Sequence, residues 1–419
     1  MQFILIAGVS LISYFVVKKL CKITKMECQI LYLIIGIGIG FALKLFNMDS
    51  VDQLFPKIGQ YNTIALLFVF FVSGFSINIS QLIQSGPVTA KLFSIPSYVE
   101  TFVMMFLIAW LTPLGYLESL IVAAIFASAS PANMISICAK MIQTKNTGKN
   151  NLPSTMIMAC IVDSFITIPI VFAGIFILMS QGAGWLKIVG IVLLILLGIV
   201  LALLTGIVLG RMELLFVHHL FKKIHKPDNS QNIKYILILI AFFLALLISF
   251  LLQSVDAIQK AVTLFGILIM FGIGISMNRY DKTGVNKMIA RNGNSLFAMF
   301  GMPSIFMYVG SIIDLKVLLN IRFLILLIAI TCIAVIVKRM ATKFVLKDPR
   351  YSKAEREFAA NCFIPKGVAL INFSVIFGAI LGNDHSIVSF MRMLATIGIL
   401  ITMTYGIPKI QKTNLNKEI

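Results

Sequence analysis

Long apolar segments recur throughout the chain and are separated by short polar connections. A helix that crosses a membrane needs about 20 mostly apolar residues, and thirteen segments come close to that length or exceed it. Their approximate limits are 2–17, 29–46, 60–79, 89–111, 117–139, 153–179, 187–210, 233–252, 258–277, 295–313, 318–345, 355–381 and 387–407. The pattern predicts an all-α polytopic membrane protein with about 13 transmembrane helices.

Basic residues alternate in density from one connection to the next. The odd-numbered connections are rich in lysine and arginine, as in residues 18–25 and 339–356, whereas the even-numbered connections hold few. Because cytoplasmic loops carry the excess of basic residues, we expect the N-terminus outside the cell membrane and the C-terminus in the cytoplasm. The same bias explains the formal net charge of +19, so no nucleic-acid partner is expected.

Composition excludes an ordinary soluble protein, because only 12% of the residues are charged and 59% are hydrophobic. No phosphate-binding loop or nucleotide fingerprint occurs, so we expect no cofactor. The six cysteines show no metal-ligand spacing and are interpreted as reduced packing residues. They are Cys21, Cys28, Cys138, Cys160, Cys332 and Cys362.

Two of the predicted helices contain a break near the middle. The fifth segment holds small residues, hydroxyls and a proline at 127–131, and the twelfth holds a proline and a glycine at 365–367. Backbone groups freed inside a membrane must be buried in protein or line a cavity. The long basic connection 211–232 lies near mid-chain, so we interpret the chain as a six-plus-six inverted repeat with one extra N-terminal helix.

Two carboxylates, Asp163 and Glu100, fall deep inside predicted spans. A charge at the centre of a membrane costs at least ~2.5–3.5 kcal/mol, so a chain that keeps one there is expected to use it. Ser164 follows Asp163 directly, and Ser130 and Asn133 lie at the break in the preceding span, so we expect their oxygens near Asp163. A monovalent cation prefers such oxygen ligands. We therefore expect Asp163 to bind an ion, with a structural salt bridge as the alternative, and Glu100 to be a structural carboxylate.

Lysines also occur within the predicted spans. Lys366 lies in the second break, too far from either membrane surface to reach water by extending its side chain. Lys338 lies in the inner half of the eleventh segment, where it either extends to the interface or pairs with a buried acid. Both lysines are candidate supporting charges of the site.

These residues carry a resemblance to a known family. The chain resembles the bacterial monovalent cation:proton antiporters, the sodium/proton exchanger superfamily. The motifs that carry the likeness are Gly36–Gly40, Gly74-Phe75-Ser76-Ile77-Asn78, Pro96 to Glu100, Pro131 with its small neighbours, Asp163, Arg356-Glu357-Phe358 and Pro365-Lys366-Gly367.

The resemblance implies a fold and a mechanism. It implies thirteen helices, two crossed broken helices, and an elevator-like movement with alternating access. It assigns to Asp163 the binding of either a proton or a cation, and to Lys338 a role in pairing or competing at that site. It also matches Lys366 to the lysine of the family's second break.

The resemblance also implies a division of the single transmembrane transporter domain, 1–419. Core helices are expected at about 89–179 and 318–407, and dimerisation or scaffold helices at about 2–79 and 187–313. The expected assembly is a homodimer surrounded by membrane lipid, and the expected cellular role is pH homeostasis.

Two positions depart from the family pattern. Val162 precedes Asp163 where relatives carry a second polar or acidic residue, and Ala129-Ser130-Pro131 stands where many carry Thr-Asp-Pro. A single carboxylate that takes either one proton or one cation predicts an electroneutral exchange of Na⁺ or K⁺ for H⁺.

Three other functions compete with antiport: symport, channel conduction and enzymatic catalysis. A sodium-coupled symporter of a small organic anion would need more asparagine, glutamine or arginine near the breaks than this chain offers. A channel is disfavoured because the site combines acids with bases. An enzyme is not expected, since the predicted spans contain no histidine to act as a base.

Overall fold

The structure, a computed structural model, describes residues 1–46, 48, 51–75, 86–180, 184–223, 240, 256–280, 293–313, 319–382 and 385–418. Every regular element in these ranges is helical. The first helices are α1 (Gln2–Thr24), α2 (Cys28–Leu45), α3 (Val51–Leu54), α4 (Ile58–Phe75), α5 (Gly86–Leu111), α6 (Tyr116–Ala127), α7 (Pro131–Gln143), α8 (Leu152–Ile166) and α9 (Ile168–Met179). The later ones are α10 (Trp185–Lys223), α11 (Asp256–Tyr280), α12 (Met302–Ser311), α13 (Ile321–Val345), α14 (Lys353–Cys362), α15 (Val368–Leu381) and α16 (Ser386–Gln411).

Short elements complete the described chain: a π-helical segment, Phe297–Gly301, runs directly into α12, and a 3₁₀ turn, Leu415–Glu418, follows α16. Within the described ranges, eight helices are long and apolar enough to cross a membrane. The prediction of an all-α membrane protein is therefore confirmed, while the count of thirteen helices and the inverted repeat stay predictions.

Two helices differ in length from their predicted spans. Helix α1 continues to Thr24, beyond the predicted limit of 17, and α10 continues to Lys223. Helix α10 therefore runs through the first part of the basic connection 211–232, because charged residues such as lysine and glutamate support a helix as it leaves the membrane. Residues 224–232 and all of the predicted span 233–252 except residue 240 lie outside the described residues.

The chain forms two compact units. The first unit comprises Met1–Phe15, Leu54–Ser80 and Val192–Ser304, and the second comprises Val16–Gln53, Gln81–Ile191 and Ile305–Ile419. In the first unit, α4 and α10 each pack closely on α11 through glycines. Added Cβ atoms at Gly74 and Gly206 would come closer than 3.0 Å to backbone of α11.

Within the second unit, α2 packs against α12 through small residues. A Cβ atom added at Gly36 or Gly40 would come closer than 3.0 Å to the backbone of Met307 or Ser311, whereas one added at Gly38 meets nothing within 4 Å. The two helix backbones therefore approach each other along the face that carries Gly36 and Gly40, as small residues four apart permit.

The C-terminal tail packs on the loop that joins α7 to α8. Asn146 donates to the carbonyl of Thr413 at 2.9 Å and accepts from the amide of Leu415 at 2.7 Å. The side chain of Leu415 is only 1% exposed and belongs to a cluster that includes Met141 and Phe358. The tail thus forms part of the core of the second unit.

The cysteines differ from the expectation at one place. Cys21 and Cys28, at the end of α1 and the start of α2, are joined by a disulfide, with Cα atoms 5.8 Å apart. The interpretation of all six as reduced was therefore wrong for this pair, which the short connection between the end of α1 and the start of α2 keeps within bonding range. The other four form no disulfide, and Cys332 alone among them is exposed.

Candidate ion-binding site

Two helix breaks meet in the second unit. Helix α6 ends at Ala127 and α7 begins at Pro131, while α14 ends at Cys362 and α15 begins at Val368. Proline at the first position of α7 lacks the amide hydrogen that a helix interior needs, which favours a new helix start there. The amide of Ser130 donates to the carbonyl of Pro365 at 2.9 Å, so the two breaks are in direct contact.

Side chains satisfy the other backbone groups that the breaks release. The amide of Ala129 donates to Asp163 Oδ2 at 2.8 Å, and the amide of Lys366 donates to Thr402 Oγ1 at 3.0 Å. The carbonyl of Ala127 accepts from the ammonium groups of both Lys338 and Lys366. Polar atoms therefore compensate for the lost helical hydrogen bonds, as an apolar environment requires.

Asp163 lies on α8 and is completely buried. Its Oδ2 atom lies 3.1 Å from Lys338 Nζ, and its Oδ1 atom accepts a hydrogen bond from Ser97 Oγ. With the Ala129 amide, the carboxylate has three donors: one from α5, one from α13 and one from the first helix break. A cation bound at Asp163 would have to replace at least the lysine.

Lys338 bridges two carboxylates. Its Nζ atom lies 3.1 Å from Asp163 Oδ2 and 3.3 Å from Glu100 Oε2, and it donates to Ser97 Oγ at 3.0 Å. The ammonium also lies 5.1 Å from the centre of the Phe363 ring, within range of a cation–π interaction. Since the side chain is only 2% exposed, Lys338 pairs with buried acids instead of extending to the membrane surface.

Glu100 and Lys366 form a second buried pair. Lys366 Nζ lies 2.8 Å from Glu100 Oε1 and 3.1 Å from Oε2, and 5.1 Å from the centre of the Phe126 ring. Glu100 is fully buried and Lys366 is 1% exposed. The two acids and two lysines, defined here as the charge cluster, are formally neutral when all four are ionised, which lowers the cost of burying them.

The neutral oxygens predicted for the site are only partly described. Ser130 Oγ accepts from Asn133 Nδ2 at 3.2 Å, and Asn133 Oδ1 accepts from Gln29 Nε2 at 3.3 Å. Ser130 and Asn133 lie at the start of α7, at the end of the first break, whereas Gln29 lies on α2. Ser164 belongs to α8, but its side chain lies outside the described part of the structure. Residues 76–78 of the family motif that begins at Gly74 also lie outside it.

Sequence reasoning missed two polar residues of the region around the helix breaks. Ser97 contacts both Asp163 and Lys338, and Gln29, which is 3% exposed, contacts Asn133. Ser97 precedes Glu100 by three residues, so the two side chains share a face of α5. That spacing was a usable signal for Ser97, whereas Gln29 lay at a predicted helix start, where a polar residue is ordinary.

Broken helices around buried, paired charges define this chain as a membrane transporter of the broken-helix type. The model of the family described as "Sodium/hydrogen exchanger, transmembrane" matches residues 8–408. The chain belongs to this family, which confirms the resemblance seen in its motifs and places it among transporters, not enzymes.

Solved structures of similar fold are known. The chain is similar to the sodium proton antiporter MjNhaP1 from Methanocaldococcus jannaschii at pH 8, with 16% identity, a TM-score of 0.71 and coverage of 99% of both chains. An electron-microscopy structure of the same antiporter gives 15% identity and a TM-score of 0.66, covering 98% of this chain and 96% of that one. A comparison with curated proteins found no match.

Proposed function

We propose that this protein exchanges a monovalent cation, Na⁺ or K⁺, for protons across the cell membrane by alternating access, and that Asp163 carries either ion. Family membership supports cation:proton antiport. The observation that carries the assignment is that Asp163 is buried beside the first helix break and paired with Lys338. Only an ionisable group can exchange a proton for a cation at one position.

Three states of Asp163 describe the exchange. In the state seen here, Lys338 compensates the carboxylate at 3.1 Å. A cation that enters replaces Lys338 at Asp163, with neutral oxygens of Ser130, Asn133 and Ser164 as further ligands. A proton at Asp163 removes its negative charge and with it the attraction for the cation. The proton and the cation therefore compete for one carboxylate.

The exchange is proposed to be electroneutral. Lys338 lies 3.3 Å from Glu100 as well as 3.1 Å from Asp163. When a cation takes Asp163, the ammonium keeps Glu100 as its partner and can stay charged. One positive charge at Asp163 is then exchanged for another, and the cycle moves no net charge across the membrane.

The proposed architecture follows the family pattern. The core helices, about 89–179 and 318–407, would carry the charge cluster past scaffold helices, about 2–79 and 187–313, that form a homodimer. The thirteen-helix inverted repeat and an N-terminus outside, C-terminus inside orientation complete the proposal. The alternation of basic connections supports the orientation.

The test is cation-driven proton movement in proteoliposomes. Asp163→Asn should abolish exchange, because an amide cannot carry a proton, while leaving the yield and elution profile of the purified protein unchanged. Asp348→Asn is a matched control, since Asp348 is an exposed loop carboxylate that pairs only locally with Arg350. Exchange at the wild-type rate in the Asp163→Asn variant would refute the proposal.

A further inference from the structure

A further buried carboxylate lies in the first unit, away from the helix breaks in sequence. Glu213, near the end of the apolar part of α10, is 7% exposed, and neither of its carboxylate oxygens has a hydrogen-bond partner among the described residues. Ser276 on α11 is 1% exposed, and within the same part of the chain its hydroxyl has no hydrogen-bond partner either. Buried polar groups are nearly always paired, so these two call for an explanation.

The packing of α10 on α11 places the two residues at one level. Added Cβ atoms at Gly206 and Gly210 would contact the carbonyls of Ile269 and Ile273, so the helices run in the same direction and in fixed register. Glu213 follows Gly210 by three residues, and Ser276 follows Ile273 by three. The Cβ atom of Ser276 also lies 3.0 Å from the position of an added Cβ on Gly210.

Three buried oxygens that lack hydrogen-bond partners among the described residues lie at one level of a helix seam, and a small ligand held by all three would satisfy them. At their present positions the Glu213 oxygens and Ser276 Oγ make no hydrogen bond with each other, so a proton on Glu213 would still leave the serine hydroxyl without a partner there. A cation is satisfied by carboxylate and hydroxyl oxygens together. One carboxylate balances one positive charge, whereas divalent ions are usually held by more.

We propose that Glu213 and Ser276 form a second cation site in the first unit, which holds one small monovalent cation that is not transported. The site uses no residue of the charge cluster. A bound cation stabilises the packing of α10 on α11, so the stability of this contact rises with the cation concentration. This effect is independent of exchange at Asp163.

The experiment measures thermal unfolding of the purified protein in detergent, titrated with NaCl or KCl against choline chloride at constant ionic strength. All variants are made in an Asp163→Asn background, which removes the proposed transport site. We expect Asp163→Asn to keep a saturable rise in its unfolding midpoint. Adding Glu213→Gln should abolish that rise, and adding Ser276→Ala should raise the half-saturating concentration at least tenfold.

Adding Asp348→Asn is the matched control and should leave the cation effect intact. No saturable effect in Asp163→Asn, or an equal effect after Glu213→Gln, would overturn the proposal. A midpoint that depends on pH but not on Na⁺ or K⁺ would also overturn it, since Glu213 would then bind a proton only. Exchange by the Glu213→Gln single variant is measured separately, so failure of this inference is distinct from failure of the proposed transport function.

Discussion

Each charge of the cluster has at least one partner of opposite sign. Glu100 lies between two lysines, and Lys338 lies between two acids. Removing one member therefore leaves its neighbours with fewer partners, in a place where an uncompensated charge is costly. This arrangement makes the effect of a substitution depend on which partners the remaining charges keep.

Lys366→Ala should destabilise the protein more than it changes ion choice. The variant removes the ammonium that lies 2.8 Å from Glu100 Oε1, and breaking a buried pair costs roughly 3–5 kcal/mol. A clear fall in the unfolding midpoint is expected, with Lys409→Ala, an exposed lysine, as the control. An unchanged midpoint together with altered Na⁺/K⁺ preference would place Lys366 in the ion site itself.

The sequence was informative about the charges and less so about their partners. The cost of a charge inside a membrane was sufficient to single out Asp163, Glu100, Lys338 and Lys366. Their pairing depends on contacts between residues 175 to 266 positions apart, which no local pattern encodes. Ser97 was missed because a single serine in an apolar helix most often bonds its own backbone.

At the scale of helices, breaks were easier to predict than ends. Proline at 131 and proline and glycine at 365–367 mark where α7 and α15 begin, because proline lacks the amide hydrogen that a helix interior needs. Hydropathy marks where the membrane ends, not where the helix ends, which is why α1 and α10 extend beyond their predicted spans. The close approach of α2 and α12 occurs at glycines four residues apart, a spacing that permits such packing without naming the partner helix.

Gly36→Ala and Gly38→Ala should have opposite effects on stability. An alanine at 36 would force apart backbones that are in contact, at a cost of ~1–3 kcal/mol. At 38 there is open space, so the gain in helix propensity, up to about 1 kcal/mol, is retained. Thermal unfolding of both variants checks this, and equal midpoints would show that the α2–α12 contact is absent in the membrane protein.

For the whole molecule, the central question is how much charge moves in one cycle. A membrane potential contributes ~2.3 kcal/mol per charge per 100 mV. If one cation exchanges for one proton, Na⁺-driven exchange should proceed at the same rate with and without a potential imposed by potassium and valinomycin. A rate that depends on the potential would show that a second proton moves, and would assign it to Lys338.

The separation of paired residues along the chain has a consequence for biogenesis. Glu100 enters the membrane when Lys366, its partner 266 residues later, has not been made. At 5–20 residues per second the ribosome needs roughly 10–50 s to supply it. The loop around Asn146 waits equally long for its contact with Thr413, 267 residues later. Chains that stop early would therefore present unpaired carboxylates within the bilayer, and quality-control proteases have a physical basis for telling them from finished ones.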